Sequence, residues 1–483
     1  MSKKNWQLEN TYSALPEAFY SFQQPKPVTK PEMVCFNKTL ADKLGLVFLN
    51  DEKANNVNYF SGNMLINGSK PLAQAYAGHQ FGHFNMLGDG RAVLLGEHID
   101  PTGKRFDIQL KGSGRTTYSR RGDGRATLYS MLREYLISES MYHLRVPTTR
   151  SLAVVTTGEH VFRGDMHTGG VLTRIADSHI RVGTFEYARN FCSADDLDTL
   201  TNYTIQRHYP EIVDAKNPAL ELLKAVMHKQ IDLVVEWMRV GFIHGVMNTD
   251  NMSIAGETID YGPCAFVNTY HPGIVFSSID ANGRYRFGNQ SFIAHWNLAI
   301  FANALLPVIS EETKEAVELV KGVLNEFDGL YNEKWYTMMY DKLGILNPTD
   351  KDKGLVDKLL KLMETHEIDY TQAFLALQQD AAFGSSFFKQ EEFNEWIQQW
   401  KNTHLKDELK TPALELMDKS NPKIIPRNHW VENVLEEAVK NNMESFNELL
   451  EKLSKPYDNH PQKLQFEQPP VGFDATYQTF CGT

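Results

Sequence analysis

An α+β fold of two lobes, a β-rich lobe followed by a mainly helical one, is predicted by three observations. Residues 61–190 consist of short strand-like runs and glycine-rich turns, with one long helical pattern among them. Beyond residue 191 the apolar spacing becomes mostly helical. At 483 residues the chain is longer than one ordinary domain core. The resulting division is an N-terminal extension over 1–60, a first lobe over 61–190, a second lobe over 191–455 and a C-terminal tail over 456–483.

In the extension, Pro16, Pro25, Pro27 and Pro31 favour irregular backbone, and a short helix is expected over 37–44 with Gly45 as its cap. Gly88-Asp-Gly-Arg91 reads as a tight turn feeding a buried strand over 92–95. Residues 106–111 alternate, which sets Phe106, Ile108 and Leu110 on one face and Asp107, Gln109 and Lys111 on the other. Leu128, Leu132, Tyr135 and Leu136 mark one apolar face of a helix that carries Glu134, and further strands are expected over 151–156 and 170–176. A buried helix opens at Pro218 and stops at Gly241; others are expected over 293–306, 311–327 and 430–453, with an extended, proline-containing tail.

The stretch 241–263 organises the chemistry. Residues 251–254 and 258–260 read as two short strands about a turn at Ala255-Gly256, so that Asn251 and Asp260 face each other with Asp250 alongside. An amide oxygen and two carboxylates form a hard-oxygen site of the kind Mg²⁺ uses when it also holds nucleotide phosphates. Lys111 on a strand, Glu134 on the next helix and this segment in the second lobe follow the order of parts in a protein kinase-like two-lobe fold. Taken singly, Lys111 and Glu134 read equally well as a solvated strand residue and a surface helix charge. Aligning His244 and Asn251 with the ends of the kinase catalytic loop puts Val246 where the catalytic aspartate stands. Valine cannot accept a proton, so ordinary γ-phosphoryl transfer loses its base.

Composition narrows the partners. A net charge of −11, from 49 Lys+Arg against 60 Asp+Glu, argues against nucleic acid or anionic membrane bound over a broad surface, while a local basic pocket stays compatible. Cys35, Cys192, Cys264 and Cys481 contain no CxxC pair, which points to neither structural zinc nor a disulfide framework and suits a reducing cytoplasm. The N-terminal residues have no apolar signal core, and no uncharged apolar run is expected to reach membrane-spanning length. His79 and His83 have an i, i+4 spacing without a third zinc ligand, and His244 reads as a packed histidine supporting its loop.

The chain resembles the selenoprotein O family, also called YdiU. The resemblance rests on Tyr76-Ala-Gly-His-Gln-Phe-Gly82, Leu87-Gly-Asp-Gly-Arg91, Gln109-Leu-Lys-Gly-Ser-Gly114, Gly122-Asp-Gly-Arg125, His244-Gly-Val-Met-Asn-Thr-Asp-Asn251, Asp260-Tyr-Gly-Pro263 and Arg286-Phe-Gly-Asn-Gln290. It implies a kinase fold that transfers AMP from ATP to Ser, Thr or Tyr hydroxyls of proteins, with ATP bound in reverse and its α-phosphate presented to the acceptor. It also implies that Lys111, Arg174 and Arg181 hold the inverted triphosphate, with Gly88, Gly90, Arg91, Asp123 and Gly124 completing the pocket and Glu134 partnering the lysine. Asn251 and Asp260 match the ligands of Mg²⁺ or Mn²⁺, and Asp250 matches the proton acceptor. UMP transfer from UTP stays open beside AMP transfer. A phosphotransferase and a noncatalytic nucleotide-binding scaffold are the alternatives. Cys481 lies where some family members form a disulfide with the segment after Asp-Tyr-Gly; the matching position here is Phe276, with Cys264 nearer the metal site, so a redox switch would have to use Cys264 as the substitute partner.

Overall fold

The computed structural model describes residues 6–46, 53–383, 388, 390–459 and 472–480; Cys481 and the expected redox switch lie outside them. The strands are β1 (Leu8–Glu9), β2 (Tyr20–Phe22), β3 (Met33–Phe36), β4 (Leu72–Gln74), β5 (Ala77–Gln80), β6 (His83–Met86), β7 (Ala92–Ile99), β8 (Arg105–Lys111), β9 (Ala126–Thr127), β10 (Arg150–Arg163), β11 (Asp165–Ala176), β12 (Phe242–Ile243) and β13 (Ala265–Phe266). Nine of them form one sheet in the order β2-β4-β7-β8-β11-β10-β3, with β1 on β7 and β9 on β11. Three short runs of the segment before residue 60 hydrogen-bond into the sheet.

The alternation in β8 decides what each face of the sheet does. Ile108 and Leu110 join Val93, Leu95, Val155 and Val171 in an apolar layer under α1 (Lys38–Lys43) and α2 (Lys53–Ser61). Asp107, Gln109 and Lys111 lie on the opposite face, where Lys111 reaches Glu134 of α3 (Leu128–His143), and Arg174 of β11 sits directly across from Gln109. Helix α1 starts where the side chain of Asn37 accepts from Leu40 N, and Gly45 follows it with φ +73°. Thr127 caps α3 in the same way through Ser130 N.

The second part of the chain opens with α4 (Val182–Phe191), α5 (Ala194–His208), α6 (Pro218–Val240) and α7 (Gln290–Ile309). Asn217 and Pro218 start α6, and Gly241 at φ +72° stops it. Then follow α8 (Thr313–Leu324), α9 (Phe327–Lys342), α10 (Asp350–Thr365), α11 (Tyr370–Phe383), α12 (Glu391–His404), α13 (Lys410–Ser420), α14 (Asn428–Ala438), α15 (Glu444–Leu453) and α16 (Phe473–Thr476). A β-rich lobe with α3 against its sheet, followed by a helical lobe built around α6 and α7, is a protein kinase-like α+β fold.

Four expectations are corrected. The helix expected over 430–453 is two helices, because Asn441 takes a left-handed conformation (φ +68°) between α14 and α15. Residues 251–254 and 258–260 do not pair with each other: Ser253 bridges to Arg181 and Thr258 to Thr148, so neighbouring segments satisfy the backbone that an isolated short hairpin would leave marginal. The hairpin that does close the stretch is β12 with β13, through Phe242↔Phe266 and Ile243↔Ala265. The tail contains the short helix α16 rather than extended backbone throughout. Finally, Phe287–Ile309 is long and apolar enough by length and composition to cross a membrane. Half of that stretch is buried, with Ile293, Leu298, Phe301 and Leu305 inside the core; a helix apolar on all sides is also what a central position among α4, α6 and α8 requires.

A buried polar node ties the sheet to the helices. Arg207 of α5 donates to Asp107 Oδ1 at 2.6 Å, and His179 donates its backbone N–H to Oδ2 at 2.9 Å. Burial alone would raise the Asp107 carboxyl, but Arg207 and His179 outweigh it and hold the group at about 2, against an ordinary 3.8. Because the folded value is the lower one, this stabilisation is complete above about pH 4 and is lost as pH falls toward 2. Asp107→Asn is expected to lower unfolding free energy at pH 7 by about 3 kcal/mol, since Arg207 stays buried with only the longer 3.7 Å contact to Glu97 to balance its charge. Urea midpoints check this, and a change below about 0.5 kcal/mol would show that the node is not an anchor.

Candidate active site

A cavity of about 500 Å³ lies between the polar face of the sheet and the loop spanned by β12 and β13. Gly88, Gly90, Arg91, Lys111, Asp123, Gly124, Arg174, Arg181, Asp250, Asn251 and Asp260 all line it. Glu134 stands one layer behind, 3% exposed, where it joins two of the cations. Lys111 Nζ donates to Glu134 Oε2 at 2.6 Å, and Arg174 Nε donates to Glu134 Oε1 at 2.8 Å. The same lysine donates to Asp260 Oδ1 at 2.7 Å, which spans the two lobes.

Asp260 has φ +68°, a conformation that a non-glycine residue keeps only where its surroundings impose it. Burial would raise its carboxyl, but Lys111 and Arg91 overcome that and hold it far below the usual carboxylate range. Asp260 is therefore ionised at any pH at which the protein works. Burial likewise opposes ionisation of Glu134, and Arg174 and Lys111 again win.

Asp250 sits in a different environment, on a single 3-10 turn over Thr249–Asn251. Burial pushes its carboxyl up to about 7, with Arg181 partly opposing and Asp260 and Glu186 adding to the rise. Its Oδ1 is buried without a hydrogen-bond partner. A side chain at Gly78 would meet that oxygen at 2.6 Å, and one at Gly183 would meet Ala77 O at 2.1 Å, so β5 and the start of α4 press directly on the aspartate. Arg181 donates to Asp250 O at 3.1 Å, lies 4.3 Å above the Tyr76 ring and stands 3.9 Å from Asp89. Asn251 donates from its amide nitrogen to Val246 O at 3.1 Å, which turns the amide oxygen the other way. His244 is buried and bonded to Ile259 O at 3.0 Å, a packed support for the loop. His79 and His83 lie on paired strands of the β5–β6 hairpin, and His79 is bound to Glu186.

A loop over 112–125 closes the far wall. Gly114 N donates to Gly124 O at 3.0 Å, and Ser113 bridges to Arg125. Gly124, at φ +70°, presses so closely on Gly114 that an added Cβ would lie 2.2 Å from its carbonyl carbon. A Cβ at Gly88 would lie 2.4 Å from the Tyr118 ring. Asp123 is held by Arg163 through Nη1 and Nη2, at 2.9 and 2.7 Å. Arg120, Arg125 and Arg163 join the lining beyond the residues that sequence reasoning selects. Arg120 and Arg125 flank Gly122-Asp-Gly124 and were legible from that motif, whereas Arg163 arrives from the β10–β11 hairpin with no local signal.

The lining carries Arg91, Lys111, Arg120, Arg125, Arg163, Arg174 and Arg181 against Asp89, Asp123, Asp250 and Asp260, an excess of positive charge in a chain that is acidic overall. Such a cavity suits a polyanion. Among the described residues no group of three or more His, Cys, Asp or Glu side chains is arranged to hold a metal ion. The donors present are Asn251, Asp260 and Asp250, and this set fits a Mg²⁺ that completes its shell with phosphate oxygens and water. The unpartnered Oδ1 of Asp250 agrees with a site built for a further group.

The model of the family described as protein adenylyltransferase SelO matches residues 3–454. The protein nucleotidyltransferase YdiU of Brevibacillus brevis is 52% identical over 480 residues, covering 99% of this chain and 98% of its own length. That of Bacillus cereus is 51% identical over 488 residues and covers 100% of each chain. Among solved structures, ROP2 from Toxoplasma gondii, described as a virulence factor with a protein-kinase fold and no enzymatic activity, covers 61% of this chain and 96% of its own at 10% identity and a TM-score of 0.27. A likeness at that score carries no weight for the fold or the chemistry.

Proposed function

Because the chain belongs to the SelO family of protein adenylyltransferases, and is a nucleotidyltransferase, we propose that it transfers AMP from ATP to Ser, Thr or Tyr hydroxyls of proteins. The observation that carries this reading is the pairing of an excess of cations with Asp250, a buried carboxylate poised near neutrality, where Val246 occupies the place of a kinase base. A general base works best when its proton affinity lies near the working pH.

In this reading Lys111, Arg174 and Arg181 take the β- and γ-phosphates, Glu134 keeps Lys111 extended, and Gly88, Gly90, Arg91, Asp123 and Gly124 shape the rest of the nucleotide pocket. Asn251 and Asp260 hold Mg²⁺ or Mn²⁺, which when bound supplies charge to the phosphate oxygens. Asp250 takes the acceptor's proton while the acceptor oxygen forms a bond to the α-phosphorus. The bond from that phosphorus to the bridging oxygen of pyrophosphate breaks, and pyrophosphate leaves with the electron pair. Protein substrates, a cytoplasmic setting and the use of UTP as a second nucleotide belong to the same proposal.

The test uses the whole chain with ATP labelled at the α- or the γ-phosphate and a soluble protein extract as acceptor. Label from the α-phosphate is expected on protein, at a level at least tenfold above the γ-label. Incorporation of γ-label alone would overturn adenylyl transfer in favour of a phosphotransferase, and no incorporation of either would favour a nucleotide-binding scaffold. The same assay with α-labelled UTP measures UMP transfer directly.

A further inference from the structure

We propose that residues 472–480 form a strap binding the segment after Asp260 to α3, and that Tyr477 and Glu432 are positioning residues for the transfer reaction. The centre of the arrangement is Arg133, 5% exposed and next in sequence to Glu134. Its Nε donates to Tyr261 O at 3.3 Å and Gly262 O at 3.2 Å, and its Nη2 donates to Cys264 O at 2.7 Å. These are the carbonyls immediately following Asp260. One guanidinium therefore joins the helix that carries the partner of Lys111 to the loop that carries the other acid bound to Lys111.

Glu432 of α14 holds that guanidinium in place. Its Oε1 accepts from Arg133 Nη1 at 2.8 Å and from Tyr477 OH at 2.6 Å, and its Oε2 accepts from Tyr129 OH. Tyr129 and Arg133 stand four residues apart on one side of α3, so a single carboxylate gathers two α3 side chains and the strap. A guanidinium buried this deeply needs its counterion, and a planar fork spread over four acceptors fixes both position and orientation.

The rest of the strap continues along the same segment. Thr479 Oγ1 donates to Pro263 O at 2.7 Å, Thr479 N donates to Phe276 O at 2.7 Å, and Ser278 N donates to Thr479 O at 3.0 Å. Ile279, one residue further, lines the cavity. Asp474 accepts from Asn268 at 2.6 Å, and Tyr477 lies between the rings of Phe473 and Phe276. Residues 261–279 are thus held along their length by hydrogen bonds and ring contacts from a piece of chain some 200 positions away. Asp260 keeps its left-handed backbone at the head of the held segment, where displacement of Tyr261 and Gly262 would move its carboxylate relative to Lys111.

The activity readout rests on the transfer reaction proposed above; the exchange readout does not. Wild type, Tyr477→Phe, Glu432→Gln and the double variant are compared as full-length chains. Hydrogen exchange of amides over 261–279 is expected to rise at least threefold in each variant, and kcat with α-labelled ATP to fall about tenfold with KM for ATP within twofold. The double variant should be no worse than the poorer single one, because the two residues act through one another. A general loss of packing would instead raise KM and exchange throughout the chain. The proposal is overturned if the single variants keep wild-type exchange over 261–279, and also if exchange rises while kcat stays within twofold of an active wild type. If Glu432→Gln does not fold, Thr479→Val, which loses only the contact to Pro263, supplies the same comparison. A wild type that transfers no α-label sinks the reaction reading, and the exchange measurement then decides the strap alone.

Discussion

Asp250→Asn is expected to lower AMP transfer by about 10²- to 10⁴-fold while ATP still binds, because the substitution keeps the shape of the side chain and one oxygen but removes its charge and its ability to take a proton. The contact from Arg181 goes to the backbone oxygen of residue 250, so it survives the change. Burial, the largest influence on this carboxyl, is what makes it basic enough to act near neutral pH. Single-turnover rates with α-labelled ATP, alongside equilibrium nucleotide binding, separate the two effects. A rate within threefold of wild type would remove Asp250 from the role of base, and a matching loss of ATP affinity would make it a binding residue instead.

Glu134→Ala is expected to be the most damaging change to the site as a structure. It leaves Lys111 and Arg174, whose side chains are 8% and 5% exposed, without their shared counterion at the back of the cavity. Breaking a buried ionic group by removing one member costs about 3–5 kcal/mol, far more than the pair itself contributes. Lys111 retains Asp260 at 2.7 Å, so the lysine should turn fully to that carboxylate and compete for it with the proposed Mg²⁺ or Mn²⁺. Transfer is then expected to fall by about 10²-fold or more. Urea unfolding and the α-label assay check the two effects, and a variant with a wild-type urea midpoint would show that the two cations are adequately solvated without Glu134. Glu134→Gln should lie between, since it keeps a hydrogen-bond acceptor and loses the charge.

Both predictions concern side chains whose importance could be read early, for reasons that differ. Lys111 was legible because strand geometry alternates: once Ile108 and Leu110 are assigned to an apolar layer, the lysine must leave on the other face. The ends of α6 were legible because Asn217, Pro218 and Gly241 act through the backbone of their own turn. The family motifs likewise placed Asp250, Asn251 and Asp260 in one stretch, and the structure brings all three to one cavity wall.

The expected pairing of 251–254 with 258–260 failed for a physical reason visible elsewhere too. A short run has no pairing preference strong enough to resist longer-range partners, and here Arg181 and Thr148 take the bridges while Trp237 Nε1 donates to Thr258 Oγ1 at 2.8 Å. Arg163 reaches the cavity only because β10 and β11 extend far enough to carry it there, where it meets Asp123. Tyr477 and Glu432 reach Arg133 across about 340 and 300 positions of chain.

The sequence by itself determined what depends on near neighbours: the faces of strands and the caps of helices, governed by periodicity and local backbone chemistry, the order of the two lobes, and, through the family motifs, the gathering of Asp250, Asn251 and Asp260 in one stretch. Only the tertiary structure decided how charge is distributed around that stretch. It buried Asp250 Oδ1 without a hydrogen-bond partner, surrounded Asp260 with cations, and tied the following carbonyls to α3 and the strap. Ionisation and positioning depend on burial and on charges a few ångströms away, and folding brings those charges together from residues far apart in the chain.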